Sequence, residues 1–209
     1  AVTPDTRYDL ASLTKVLATA LFAAQAVDRG LLTTDDPAHT YFDEWCAPDR
    51  RAVTVADLLS HASGLAAYAP LYRDCRGTRE FVRTICRQPL AYPTRSTSRY
   101  SDLGFIVLGA LLERVRVRAL DAQFADVAHA LGVADAIGFR PDRRRGDPIA
   151  PTERDTGWRG RLLVGEVHDE NAWALWGVAG HAGLFGTAES VGVFARHLLQ
   201  ILRGRSGLV

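Results

Sequence analysis

Ser12 and Lys15, in Tyr8-Asp9-Leu10-Ala11-Ser12-Leu13-Thr14-Lys15-Val16, put a hydroxyl and an amine three residues apart where an apolar stretch begins. On an α-helix residues i and i+3 share a face, so the amine can fold back onto the serine oxygen. A serine hydroxyl is a poor nucleophile until a neighbouring base takes its proton, and a lysine kept neutral by burial is such a base. An oxyanion formed beside Ser12 would face the free N–H groups and the positive end of the helix dipole. The chemistry this pair suits is acyl transfer through a serine. Taken alone, the four residues better describe a capping serine followed by a solvated lysine.

Two further stretches carry residues of the same kind. Arg99-Tyr100-Ser101-Asp102-Leu103-Gly104 again sets polar groups where a turn enters an apolar helix, and His61-Ala62-Ser63-Gly64-Leu65 closes a short helix in a glycine turn. In this order the three resemble the motifs of the serine β-lactamase and penicillin-binding-protein superfamily. The likeness is greatest to the branch of class C β-lactamases, DD-peptidases and β-lactamase-like esterases. It runs from about Tyr8 to the end of the chain.

The resemblance implies roles. Ser12 is the expected nucleophile, Lys15 accepts or relays its proton, and Tyr100 shuttles a proton to the leaving group and helps activate the deacylating water. A phenol titrates near about 10 in isolation, so Tyr100 needs the Lys15 charge beside it. Asp102 stands where the family usually has asparagine, at a substrate-contacting position. An amide can donate to a substrate carbonyl, whereas an ionised carboxylate only accepts. Asp102 therefore either meets substrate differently, holds Lys15 protonated, or caps its helix. The family's third motif, a Lys-Thr-Gly or His-x-Gly on a strand, is not located. His181-Ala182-Gly183 lacks the central hydroxyl and is expected to run through Leu184-Phe185-Gly186 straight into the last helix; His181 stays a candidate substrate contact.

The elements that must position these residues are mainly helical. Helices are expected over residues 11–29, 53–61 with Thr54 as cap, 79–87 behind Thr78, from Ser101 or Asp102 to about 115, over 119–131, and from 187 to about 203. Residues 139–160, rich in Arg, Pro, Asp and Gly, read as a long surface loop. Only Gly138-Phe139 and Leu162-Leu163-Val164 suggest strands. The fold class is mostly α: a helical domain with an incomplete α/β sandwich of the β-lactamase/DD-peptidase fold. Residues 1–209 are expected to form one domain, truncated at both ends, with much of the sheet missing.

Composition excludes other classes. Apolar residues make up 47% and charged residues 23%, with a net charge of +1, which suits a globular protein and gives no reason to expect nucleic acid or an anionic membrane as partner. Arg143-Arg144-Arg145 sits among Pro, Gly and Asp as a solvated run. No apolar run reaches the roughly 20 residues of a bilayer span. Cys46, Cys75 and Cys86 follow no metal-finger spacing; Cys75 and Cys86 are either buried thiols or a disulfide. Glu166-Val167-His168-Asp169-Glu170-Asn171 lacks His-Glu-x-x-His spacing and reads as a polar loop bordering the cleft. Trp158, Trp173 and Trp176 either line an acyl pocket or pack. No metal or other cofactor is implied.

The implied partner is a small-molecule or peptide-like acyl substrate, with oligomeric state open. A secretory leader upstream would place the protein in the periplasm or outside the cell; without one it is cytoplasmic. The leading function is a serine hydrolase forming an acyl-enzyme on an ester, amide or peptidoglycan-like substrate. The alternative is a catalytically degenerate binding or sensor module, or an inactive fragment of the same fold.

Overall fold

A computed structural model of the chain describes residues 1–45, 47–205 and 207; the expectation for Cys46 lies outside them. Strand β1, Tyr8–Asp9, leads through a turn into a π-helix over Lys15–Ala20 that continues as α1, Leu21–Asp28. The sequence predicts one α-helix from residue 11, and the difference lies in the first turn. Ala11 adopts a left-handed φ of 44°, a conformation costing on the order of 1–3 kcal/mol for a residue with a side chain. Asp9 holds it there, its Oδ1 accepting from the Ala11 N–H at 2.8 Å, an Asx-turn.

Helix α2, Val55–Leu59, starts in a capping box: Asp57 N–H donates to Thr54 Oγ1 and Thr54 N–H to Asp57 Oδ2. Helix α3, Gly77–Arg87, begins before the expected Thr78 because Glu80 accepts from the Arg76 N–H. Helix α4, Asp102–Arg116, is capped by Ser101, whose Oγ accepts from Gly104 N–H at 3.1 Å. Helix α5 is Leu120–Ala130. Every α4 residue from Leu103 to Leu112 is buried, and α1, α2, α3 and α5 pack around it. That explains why α4 reads as almost continuously apolar rather than amphipathic.

Strands β2, Ile137–Phe139, β3, Pro151–Asp155, and β4, Arg161–Val164, precede α6, Glu170–Ala174; β5, Leu184–Gly186, and α7, Ala188–Leu202, follow. An antiparallel sheet runs in the order β1-β5-β2, with Phe185 facing Asp9 on one side and Gly138 on the other. Strands β3 and β4 form a separate hairpin. Two expectations are corrected. The 139–160 loop contains β3, whose Pro-Thr-Glu-Arg-Asp is exposed or half-exposed throughout and so shows no apolar alternation. The segment after His181 does not run directly into the last helix: β5 is the central strand of its sheet, three residues long, too short to display a period.

The helix-dominated class stands, with two small sheets. Cys75 is a buried thiol that forms no disulfide with Cys86, and Cys86 is buried as well. Among the described residues no helix is long and apolar enough to cross a membrane.

Candidate active site

Ser12 is exposed at the head of the first helical run, and Lys15 one turn later is 3% exposed. The Lys15 amine reaches three oxygens. It donates to Ser12 Oγ at 2.9 Å and to the His181 carbonyl at 3.1 Å, and it forms an ion pair with Asp102 Oδ1 at 2.7 Å. Two of these contacts are hydrogen bonds, and the third is an ion pair in which Asp102 Oδ1 makes no hydrogen bond. Lys15 is also the only lysine in the chain; all the others among its 25 Lys and Arg residues are arginine. Arginine does not give up its proton in proteins whereas lysine does, so this solitary retention is a compositional signal, legible from the residues alone, that the reading by motif passed over.

Aromatic rings wall the amine on one side. Lys15 Nζ lies 4.7 Å from the Tyr100 ring centroid and 5.7 Å from that of Phe105. The His61 ring lies 4.7 Å from the Tyr100 ring and 5.0 Å from that of Phe105. Tyr100 is 51% exposed, so its phenol borders the open side. His61 has a left-handed φ of 59°, and its Nδ1 accepts from the Ser101 N–H at 3.0 Å. That bond requires a bare Nδ1. Burial and then the Lys15 charge push the imidazole below its ordinary range, which keeps it neutral. Asp102 begins α4 with its N–H on the Ala67 carbonyl at 2.9 Å, aiming its carboxylate at Lys15.

The last wall is the segment before β5. Thr19 Oγ1 donates to the Gly180 carbonyl at 2.6 Å, and Thr14 Oγ1 accepts from the Leu184 N–H at 3.2 Å. Gly180 lies against Gly109 of α4, and a β-carbon on Gly180 would collide with the Phe105 carbonyl. Glycine is needed there for close approach. His181 is 1% exposed. Its ring is turned away from the open side, and Nε2 meets Asp169 Oδ1 at 2.7 Å. Burial alone would raise the Asp169 carboxyl, but the His181 partner, the Ala172 N–H and the Lys15 charge outweigh it and hold the group at about 2.

Ser12, Lys15, Tyr100 and Asp102 thus converge, while His181 joins them through its carbonyl rather than its ring. The stretch expected as a border loop is mostly half-buried and bonds to residues around the cluster. His168 N–H donates to Asp9 Oδ2 at 2.7 Å, and Asn171 accepts from Tyr72 N–H and donates to the Ala69 carbonyl, both at 2.9 Å. Asp169 and Asn171 were not legible as site residues, because their partners are remote in sequence, and Asp9 likewise meets His168 only in the fold. Among the described residues no three His, Cys, Asp or Glu side chains are grouped to hold a metal ion. Trp173 and Trp176 line a cavity of about 350 Å³ with Arg140, Glu166 and Phe185, away from Ser12. Trp158 packs edge-on against Tyr72 and Trp173.

A family model described as Beta-lactamase matches residues 1–208. A protein of Escherichia coli (strain K12) bearing the name "Putative D-alanyl-D-alanine carboxypeptidase" is 29% identical over 225 residues, covering 94% of this chain and 51% of that protein. An N-acetylmuramyl-L-alanine amidase of Bacillus subtilis (strain 168) is 30% identical over 223 residues, 94% of this chain and 50% of its own. The crystal structure of a class C beta lactamase from Rhodobacter sphaeroides shares the fold with a TM-score of 0.73 at 23% identity, over 100% of this chain and 54% of that one. The chain spans about half the length of the curated relatives it matches.

Proposed function

The chain belongs to the beta-lactamase family of serine hydrolases, and from that premise we propose that Ser12 forms an acyl-enzyme with an ester, amide or peptidoglycan-like substrate. The observation that carries this is the Lys15 amine 2.9 Å from Ser12 Oγ, held there by Asp102 and by the His181 carbonyl. Residues 1–209 act together as one domain. The names of the carboxypeptidase and amidase relatives favour an amide bond in a peptidoglycan-like chain.

In this reading the Lys15 amine, once it has released a proton, takes the Ser12 proton as Oγ bonds to the substrate carbonyl carbon. The electron pair moves to the carbonyl oxygen, which faces the Ser12 N–H and the head of the helix. Collapse of the tetrahedral intermediate breaks the bond to the leaving group, which receives its proton through Tyr100. Water then adds to the acyl carbon, gives up a proton by the same route, and Ser12 Oγ departs with a proton restored. Substrate meets Tyr100 and Asp102 on the open side, and the buried His181 serves the amine rather than the substrate.

One observation favours a second reading, a module acylated once without turnover. The Asp102 carboxylate at 2.7 Å stabilises the charged form of Lys15, which opposes its use as a base. Both readings are tested together. A fluorophosphonate or fluorescent penicillin should label the chain at Ser12, and Ser12→Ala should abolish the adduct; labelling that survives the substitution, or none in the native protein, overturns the proposal. Turnover of a p-nitrophenyl ester beyond one equivalent excludes the single-acylation module.

A further inference from the structure

We propose that Asp169 and His181 form a positioning pair that fixes the Lys15 amine against Ser12, and that the loop carrying Asp169 sets the alignment of the whole cluster. The inference rests on the function proposed above and names two residues that act through Lys15 without touching substrate.

His181 presents two faces. Its carbonyl accepts from Lys15 Nζ at 3.1 Å, while its buried ring meets Asp169 Oδ1 at 2.7 Å. The Nδ1 of the same ring is buried with no hydrogen-bond partner, and Nε2 is the donor to the carboxylate, which only accepts. An unanswered buried nitrogen costs roughly 1–3 kcal/mol. An apolar residue would avoid that penalty, so packing alone does not account for an imidazole here. Asp169 is fixed in turn: the same Oδ1 accepts from the Ala172 N–H at 2.7 Å and caps α6. The orientation of His181, and with it the carbonyl on Lys15, is therefore referred to the α6 terminus.

The residues flanking Asp169 hold the other walls of the cluster. One position earlier, His168 N–H binds Asp9 Oδ2, and Asp9 Oδ1 holds the strained Ala11 turn that presents Ser12. Two positions later, Asn171 ties Ala69 and Tyr72. Their neighbours Ala66 and Ala67 anchor Ser101 Oγ and Asp102 N–H. Four residues thus connect the nucleophile turn, the amine and the start of α4.

The test compares Asp169→Asn with His181→Gln and His181→Ala. Asparagine keeps an oxygen for the Ala172 and His181 donors but removes the charge, and glutamine keeps an N–H that can reach Asp169. The fluorophosphonate labelling rate at Ser12 should fall about 10–100-fold in Asp169→Asn and His181→Ala. The reagent concentration for half-maximal rate should not move, melting should stay within about 4 °C of the native chain, and His181→Gln should recover most of the rate. Because the chain has one lysine, ¹³C-lysine labelling yields a single side-chain ε-carbon signal, which should shift in Asp169→Asn. Native labelling rates in Asp169→Asn, or losses in rate that simply follow losses in melting temperature, overturn the pair. If the native chain does not label at Ser12, the proposed function fails separately, and an ε-carbon signal unmoved by Asp169→Asn then overturns the positioning role.

Discussion

The Ser12 end of the molecule and its Trp176 end both hold a residue with a side chain in the left-handed region, Ala11 at φ 44° and Trp176 at φ 62°, yet they differ in what the distortion achieves. At Ser12 the strained turn is held by Asp9, the amine behind it meets three oxygens, and the rings beside that amine pack tilted against the His61 ring. At Trp176 the indole is 66% exposed. Two of the charged groups of its cavity are engaged elsewhere, Arg140 with Asp121 and Glu166 with Arg161. A volume of about 350 Å³ would hold a ligand, but its lining includes no serine, lysine or histidine. What separates the regions is convergence of groups on one reactive atom, not the space available.

The sharpest way to break that contrast is at the amine. Lys15→Arg keeps a cation beside Ser12 but removes the ability to accept a proton, so labelling and ester turnover should fall about 10³-fold, measured against total folded protein; a fall of less than about tenfold would place the proton acceptor elsewhere. A middle-sized effect belongs to His61. Its ring is neutral because burial and Lys15 push its ionisation below the ordinary value of about 6.5. The unfolded state therefore takes up the proton first as pH falls, and stability is lost below that value. Protonation also breaks the Nδ1 bond to Ser101 that orders the Tyr100 turn. The pH–rate profile should show an acid limb below about 6.5 that is absent in His61→Asn; an unaltered limb would assign it to another group. The smallest effect is expected at the other end. Trp176→Ala should change the Ser12 labelling rate less than about twofold and stability by less than about 0.5 kcal/mol, and a large loss would make the cavity part of the site.

Much of the fold was legible because its signals are local. Thr54 caps the helix it was expected to cap, and Ser101 and Thr187 cap helices at the starts expected for them, each accepting from the N–H three residues on. What was not legible depends on distant partners. Strand β5 exists because Tyr8–Asp9 and Ile137–Phe139 flank it, and three residues carry no period of their own. Strand β3 hides because its polar side chains stand nearly all in solvent. The same division runs through the site: the Asp9–Ala11 bond spans two residues and follows from Asx-turn chemistry, whereas Asp169 acquires meaning only when His181 is brought against it.

The pairing of Ser12 with Lys15 was determined by the sequence itself, since three residues of helical rise suffice to bring the amine onto the hydroxyl, and the single lysine among so many arginines marks it. Where the amine's other two contacts come from was decided by tertiary structure alone. Asp102 and the His181 carbonyl arrive from α4 and from the segment before β5. They meet Lys15 because Gly109 and Gly180 let those two backbones close to a distance that no side chain would permit. A helical repeat can place neighbours on one turn, but only the packing of separate elements can surround a buried charge with oxygens.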